Sequence, residues 1–151
     1  MRFGRLAVPV INDRPDYQFE LGKGVVLREG KDLTIMANGD TVSIALEAAK
    51  KLEEEGIHAQ VYDFHTIKPL DVDAVNKAIE ENGKIITVED HNIINGLGSA
   101  VCEIVAEAGK GKVHRIGVQD QFGESAPYEE LLKKNGITSE NIVKCAKDMI
   151  D

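Results

Sequence analysis

The chain has 151 residues, of which 42% are hydrophobic and 29% charged, and its formal net charge at pH 7 is −8. This length suits one domain with a sizeable core, and the composition excludes a mainly disordered protein. Because most of such an acidic surface repels a phosphate backbone, nucleic acid is excluded as a partner.

Cysteine, histidine and hydrophobic patterns indicate the compartment and the metal chemistry. Cys102 and Cys145 lie in helix-like apolar patterns without metal-type spacing, which predicts a reducing, cytoplasmic setting. The four histidines show no paired spacing typical of zinc sites. No apolar run approaches the roughly 18 residues of a membrane span, and the sequence begins without a signal-peptide pattern.

The first 22 residues differ from the remainder of the chain. They hold two of the four prolines, mix both charges and show no helical period, so they predict an extended arm or a linker. An arm of this kind needs a neighbour to pack on, and we expect it to bury Phe3, Leu6 and Val8 against a partner. A segment trimmed from a longer chain is the alternative interpretation.

Two short apolar runs, near residues 24–27 and 33–37, flank a polar cluster from Arg28 to Asp32. This pattern predicts a β-hairpin. A helix then begins at Thr41 and ends at Gly56. Its apolar residues recur at helical spacing and are Val42, Ala45, Leu46, Ala49 and Leu52.

The remainder of the chain alternates strands with helices. After a strand over residues 58–64, a helix is expected with Asp71 as its N-cap and Asn82–Gly83 as its end. Its apolar face comprises Val72, Val75 and Ile79. The β-branched run over residues 84–90 is typical of a strand buried on both faces of a parallel sheet.

Four further elements complete the pattern. They are a helix over residues 98–108, a strand over 113–118, a helix from Pro127 to Gly136 and a last helix capped by Ser139. The whole order predicts a three-layer α/β/α domain with a mostly parallel five-stranded sheet and one antiparallel edge strand.

Ligands of such sheets bind beyond the carboxyl ends of the strands. Polar residues leave those ends, among them Glu89, and they form a rim that includes Asp40, His65, His91 and Asp120. This rim is a candidate for acid–base chemistry or for a small ligand. The same residue types are also expected in loops and helix caps that bind nothing, because such loops are polar for backbone reasons.

The stretch VEDHNIINGLGSAV, residues 88–101, holds two closely spaced glycines at the start of a helix. Helix N–H groups at that point are able to hold an anion. A dinucleotide-binding fingerprint, however, needs its first glycine directly after the strand and a third glycine where Val101 stands. Close packing of the helix on the sheet accounts for Gly96 and Gly98, so the stretch predicts a strand-to-helix turn.

The sequence contains neither the motif of a catalytic nucleophile nor a nucleotide-binding motif. Ser99 and Ser125 lack the context of a nucleophile elbow, and Cys102 falls on a helical apolar face. The sequence has no P-loop, no zinc-protease motif and no EF-hand loop. The residues by themselves therefore predict no catalytic, cofactor-binding or metal-binding residue.

Three stretches together resemble one family. They are YDFHTIKPLD at residues 62–71, VEDHNIINGLGSAV at 88–101 and FGESAPYEELLKKNGIT at 122–138. In order and spacing they resemble the C-terminal domain of transketolases, which are thiamine-diphosphate-dependent enzymes. The resemblance covers residues 19–151, and residues 1–18 resemble a linker or the tail of the pyrimidine-binding domain that precedes it in the family.

The resemblance implies a role in the structure, dimerisation or regulation of a cytoplasmic transferase of the pentose phosphate pathway. Such an enzyme moves two-carbon ketol units between sugar phosphates, using thiamine diphosphate and Mg²⁺. Those ligands lie between the pyrophosphate-binding and pyrimidine-binding domains, and the chain lacks the Gly-Asp-Gly that begins the metal–pyrophosphate motif. We therefore expect an inactive fragment that binds no cofactor, with those two domains and a second copy of itself as partners.

Two alternatives stay open. The chain also resembles the C-terminal domains of deoxyxylulose-phosphate synthases and of 2-oxoacid dehydrogenase beta subunits, mainly through the strand and glycine-loop stretches. The FGESAP stretch favours transketolase, and in the synthases an arginine that binds substrate phosphate stands at the position of His65. The other alternative is a stand-alone α/β module that binds a small ligand on the rim.

Overall fold

The structure is a computed structural model that describes Gly4 and residues 7–13, 15 and 17–151. Ten elements follow one another in the expected order. They are β1 (Val25–Arg28), β2 (Leu33–Ala37), α1 (Thr41–Glu54), β3 (Ala59–Asp63), α2 (Val72–Glu81), β4 (Lys84–Asn92), α3 (Leu97–Ala108), β5 (Lys112–Val118), α4 (Tyr128–Lys134) and α5 (Ser139–Ile150).

The five strands form one sheet in the order β1-β3-β2-β4-β5. Strands β3, β2, β4 and β5 are parallel, whereas β1 pairs with β3 in the antiparallel sense. The predicted fold class is confirmed, including its single antiparallel edge strand.

The predicted hairpin is wrong, because β3 lies between β1 and β2. The connection from β1 to β2 crosses the amino end of β3, where the backbone N–H groups of Lys31 and Asp32 both donate to the carbonyl of His58 (3.0 Å each). A Cβ on Gly30 would lie 2.2 Å from the carbonyl carbon of Ala59. The polar cluster reverses the chain as expected, but the fully buried β3 needs a strand on each side, and β1 supplies one.

Each face of the sheet has its own core. Along β2, alternate residues point to opposite faces, with Leu33 and Ile35 in the core beneath α1 and α5 and Met36 in the core beneath α2 and α3. The helices therefore form two outer layers around the sheet. Because the chain leaves β2 toward one layer and β4 toward the other, a crevice opens between the carboxyl ends of these two neighbouring strands.

Helix ends match the predictions with small corrections. Asp71 caps α2, since its Oδ1 accepts from the backbone N–H of Ala74 (3.2 Å). The cap of α5 is Thr138 rather than Ser139, because the Thr138 hydroxyl oxygen accepts from the N–H of Asn141 (3.2 Å). Val72 is 47% exposed and lies outside the predicted apolar face, since it is the first residue of α2 at the rim of the sheet.

Both cysteines are free thiols, Cys145 buried and Cys102 half-buried. Burial raises the pKa of each thiol, which keeps it in its unreactive protonated form. Over the described ranges, no cluster of three or more metal-ligating side chains occurs. In the same ranges, every helix is too short or too polar to cross a membrane.

The structure describes only part of the arm that was predicted to be buried. Phe3 and Leu6 lie outside the described residues, and Val8 is 48% exposed. A described part of the arm does contact the domain, because the Asn12 side-chain amide donates to Asp63 Oδ2 (3.3 Å). The segment before β1 also contacts the domain, because the backbone N–H of Gly22 donates to the hydroxyl oxygen of Thr66 (3.3 Å).

Candidate functional site

A cleft of about 320 Å³ lies between the carboxyl ends of β2 and β4, where ligands of open α/β sheets commonly bind. We call it the switch-point cleft. Its lining comes from the loop after β2, from the loops after β3 and β4, and from the arm. The lining residues are Gly4, Asn38, Gly39, Asp40, Ile67, Asp90, His91, Asn95 and Gly96.

Two of the four predicted rim residues line this cleft. Asp40 is half-buried, and its Oδ2 accepts a hydrogen bond from the Tyr128 hydroxyl (3.2 Å). His91 has a side chain that is 48% exposed, and its Nδ1 lies 2.8 Å from the carbonyl oxygen of Asn92. Tyr128, which sequence reasoning missed, reaches Asp40 from a helix 88 positions later in the chain.

The other two rim residues lie outside the cleft. His65 packs against the ring of Phe19, with ring centroids 4.6 Å apart, and its Nδ1 lies 2.8 Å from the Thr66 hydroxyl oxygen. Asp120 is exposed and accepts from the side-chain amide of Asn92 (3.2 Å), which ties the loop after β5 to the end of β4. The predicted rim therefore consists of separate groups instead of one site.

The start of α3 is an anion-binding position that the chain fills with its own carboxylate. Glu89 is fully buried, and its two oxygens accept from the backbone N–H groups of Leu97 (2.9 Å) and Gly98 (2.8 Å). A Cβ on Gly96 would lie 1.9 Å from Glu89 Oε2, and one on Gly98 would lie 2.7 Å from the Thr87 hydroxyl. Glu89 therefore belongs to the interior and not to the rim, and no phosphate has access to these donors.

Carboxylate, amide and imidazole side chains line the switch-point cleft. Asp40 and Asp90 contribute carboxylates, and His91 is the only basic side chain among the described residues of the lining. Asn38 Oδ1 is buried and accepts no hydrogen bond from any described residue. Since Glu89 already takes the Leu97 and Gly98 N–H groups at the start of α3, these donors are not available to a phosphate in the cleft.

A second cleft, of about 240 Å³, adjoins the first and shares Asp90 with it. We call it the loop cleft. It lies between the loop after β5 and α4, and its lining includes Phe122, Tyr128 and Leu131. Phe122 belongs to the FGESAP stretch and is 99% exposed.

Asp63, at the carboxyl end of β3, is one of the polar residues that leave the strand ends, and the structure buries it. It is 5% exposed, and burial raises the pKa of its carboxyl, while the hydrogen bond from Asn12 opposes that rise. A pKa raised in the folded state means that the folded protein binds the proton more tightly than the unfolded chain. Stability is therefore highest below the unfolded pKa and falls as the pH rises through the folded value.

We expect Asp63→Asn to increase the free energy of unfolding at pH 7 by roughly 1 kcal/mol, because the amide keeps an acceptor for Asn12 without a buried charge. The gain should vanish below about pH 4, where the acid is protonated in both states. Urea unfolding at several pH values measures it, with exposed Asp13→Asn as the control. A gain that is equal at pH 3.5 and pH 7 would contradict this account of Asp63.

Comparison with known protein families assigns the chain to one of them. The family model for the transketolase C-terminal domain matches residues 22–142. The chain belongs to this family. The transketolase resemblance of the sequence is therefore confirmed, and the observed α/β architecture is that of the transketolase C-terminal domain.

Similar proteins include transketolases and a synthase. One of the subunits of an apulose-4-phosphate transketolase, from Phocaeicola vulgatus, is 42% identical over 150 residues, which are 99% of this chain and 48% of that protein. A 1-deoxy-D-xylulose-5-phosphate synthase of Heliobacterium modesticaldum is 39% identical over 132 residues, 87% of this chain and 20% of the synthase. The chain thus spans about half, or less, of the curated relatives that it matches.

A solved structure is similar over nearly the whole chain. It is a split-gene transketolase described as an inactive beta4 tetramer, and it superposes with a TM-score of 0.90 at 44% identity. The match covers 97% of this chain and 48% of the other. The transketolase C-terminal domain in this chain therefore has the same arrangement as part of a split transketolase.

Proposed function

We propose that this transketolase C-terminal domain works within an enzyme that transfers two-carbon ketol units between sugar phosphates. The similarity to a split-gene transketolase, at 44% identity and a TM-score of 0.90, is the observation that carries the proposal. The similarity to one subunit of an apulose-4-phosphate transketolase supports a polypeptide that works with another. A cytoplasmic place in the pentose phosphate pathway belongs to the same proposal.

The cofactor is held elsewhere in the enzyme. Thiamine diphosphate stabilises carbanion chemistry when it is bound, and its diphosphate needs N–H donors, cations or a metal ion. The described residues do not fit that group, because Glu89 occupies the donors of α3 and the adjoining cleft carries Asp40 and Asp90. This domain therefore has a supporting role, as a contact for the catalytic part of the enzyme and for further copies of its own chain.

Reconstitution tests the proposal. Neither this chain nor the transketolase segment that completes it is expected to transfer ketol units from xylulose phosphate to ribose phosphate alone, whereas the two together should do so. A coupled assay of the sugar phosphate products measures the rate. Formation of 1-deoxy-D-xylulose 5-phosphate by the assembly in place of ketol transfer would identify a synthase and would overturn the proposal.

The switch-point cleft favours a second candidate function, the binding of a small molecule independently of the enzyme. Its position between β2 and β4 is the one where open α/β sheets bind ligands. A thermal-shift screen of sugar phosphates, nucleotides and amines tests this candidate. A saturable rise in melting temperature that Asp40→Asn abolishes would support it, and no shift from any compound would dismiss it.

A further inference from the structure

Asparagine is followed directly by glycine at four positions of the chain. They are Asn38, Asn82, Asn95 and Asn135. Such an asparagine is prone to deamidation, because glycine has no side chain to keep its backbone nitrogen away from the neighbouring side-chain amide. In a folded protein the reaction needs a side-chain amide and a glycine N–H that are free to meet. The structure therefore separates four dipeptides that are equivalent in the sequence.

Hydrogen bonds hold every reacting group of the dipeptide at Asn82. The side-chain amide of Asn82 donates to the hydroxyl oxygen of Thr34 (3.1 Å). Its Oδ1 accepts from the backbone N–H of Lys84 (3.1 Å). The N–H of Gly83, which would have to attack, donates to the carbonyl oxygen of Ala78 (3.0 Å). Since these bonds must break before the reaction occurs, deamidation at Asn82 should be slow.

The same three groups are held at Asn135. Its side-chain nitrogen donates to the carbonyl oxygen of Leu131 (2.8 Å), and its Oδ1 accepts from the side-chain amide of Gln121 (3.0 Å). The N–H of Gly136 donates to the carbonyl oxygen of Lys133 (3.0 Å). We therefore expect this dipeptide to be protected as well.

Asn38 is hindered in a different way. Its Oδ1 is buried and accepts a hydrogen bond from none of the residues that the structure describes. This oxygen would gain negative charge when the nitrogen of Gly39 attacks, and a buried charge without a donor is unfavourable. The carbonyl oxygen of Asn38 also accepts from the N–H (3.3 Å) and the hydroxyl (2.9 Å) of Thr41, which fixes the backbone at this point.

Asn95 lacks these restraints. It is exposed, and within the part of the chain that the structure describes neither its side chain nor the N–H of Gly96 has a hydrogen-bond partner. Its backbone N–H donates to the hydroxyl oxygen of Ser99 (2.9 Å), which holds the turn before α3. The φ of 61° at Asn95 favours asparagine over other residues with a side chain, so the turn itself selects a reactive residue.

We propose that Asn95 is the site at which the folded protein deamidates. The backbone nitrogen of Gly96 attacks Cγ of Asn95, and the new N–C bond closes a succinimide ring. The side-chain NH₂ leaves as ammonia by taking the proton of the Gly96 N–H. Water then opens the ring at either carbonyl and gives aspartate or isoaspartate. Both products add a carboxylate to the switch-point cleft, which Asn95 lines.

Isoaspartate has a further consequence at the start of α3. It adds a methylene group to the main chain directly before Gly96, whose backbone lies so close to Glu89 that an added Cβ would be 1.9 Å from Oε2. Gly96 would have to move, and the N–H groups of Leu97 and Gly98 with it. Both N–H groups donate to Glu89, so isoaspartate formation disrupts the contact that holds the start of α3.

Peptide mapping by mass spectrometry, on the full chain aged in mildly alkaline buffer, tests the assignment. Asn95 should convert roughly tenfold faster than Asn82 or Asn135, because their hydrogen bonds raise the barrier. In urea the four rates should become similar, since glycine follows each asparagine. Conversion of Asn38, Asn82 or Asn135 as fast as that of Asn95 in the folded chain would overturn the proposal, and so would the same ranking in urea.

Hydrogen exchange tests the consequence for α3. The Leu97 and Gly98 amides should exchange faster in the chromatographically separated isoaspartate form than in the fresh protein. Asn95→Gly is the matched control, because glycine adopts the same φ and has no amide to lose, so ageing should leave its exchange unchanged. Freshly prepared Asn95→Asp has the charge without the extra methylene and should exchange like the fresh protein.

Three results would contradict this account of α3. They are unaltered exchange in the isoaspartate form, faster exchange in aged Asn95→Gly, and exchange in fresh Asn95→Asp as fast as in the isoaspartate form. The last of these would assign the effect to the new charge instead of the lengthened main chain.

Discussion

Gly30→Ala is expected to lower the free energy of unfolding by more than about 3 kcal/mol, enough to leave much of the protein unfolded. The new Cβ would lie 2.2 Å from the carbonyl carbon of Ala59, 2.3 Å from the N of Gln60 and 2.5 Å from the carbonyl oxygen of His58. Two of these atoms belong to the backbone of the buried strand β3 and the third to the residue directly before it, so none of them is able to move aside easily. The connection that carries the chain from β1 past β3 to β2 would have to leave its place.

Urea unfolding followed by circular dichroism measures this loss, and Gly123→Ala is the matched control. Gly123 has no atom within 4 Å of an added Cβ, so its replacement should change stability by no more than about 0.5 kcal/mol. If Gly30→Ala were as stable as Gly123→Ala, the crossing of β3 by the β1–β2 connection would be wrong, and the hairpin predicted from the sequence would be restored.

Glu89→Gln is expected to lower the free energy of unfolding by about 2 to 3 kcal/mol, although the two side chains have nearly the same shape. Each carboxylate oxygen accepts one buried N–H, from Leu97 and from Gly98. The amide has a single oxygen, so one of these two donors would face an NH₂ group and lose its acceptor. The favourable interaction of a negative charge with the N-terminus of α3 is weakened as well.

Glu103→Gln serves as the control, because Glu103 lies on the same helix and is exposed. Its effect should stay within about 0.5 kcal/mol. Hydrogen exchange of the Leu97 and Gly98 amides gives a local measurement, and both amides should exchange faster in Glu89→Gln than in Glu103→Gln. Unchanged exchange at both positions would show that Glu89 does not hold the start of α3.

The sequence predicts the elements well because their signals are local. Helical spacing in α1, the Asp71 cap of α2 and the β-branched run of β4 each depend on residues a few positions apart. The pairing of β1 is different in kind. It depends on β3, about 35 residues later, and no feature of residues 28–32 indicates that a strand will insert between β1 and β2.

The candidate site is still harder to predict from the sequence, because it depends on contacts between side chains that no local pattern connects. The edge at which Asp40 and His91 meet follows from the alternation of strands and helices, and the structure places both in one cleft. The separation of His65 and Asp120 depends on the ring of Phe19 and on the side chain of Asn92, which no spacing rule connects to them. Similarly, the burial of Glu89 depends on the N–H groups of α3 eight and nine residues later.

The two glycines of the stretch at residues 88–101 have a structural role. Gly96 and Gly98 are required because a side chain at either position would collide with Glu89 or with Thr87. The predicted strand-to-helix turn is therefore confirmed, and its close approach serves a carboxylate of the chain itself. That occupied position is the strongest structural argument for a domain whose cofactor chemistry lies elsewhere in the enzyme.

Titration calorimetry of the isolated 151-residue chain with thiamine diphosphate and Mg²⁺ tests the central claim most directly. We expect no saturable heat, because Glu89 occupies the Leu97 and Gly98 N–H groups at the start of α3, and the carboxylate of Asp40 stands at the start of α1, the other helix that begins at the switch-point cleft. Saturable binding in the micromolar range would contradict the claim that this domain leaves the cofactor to the rest of the transketolase.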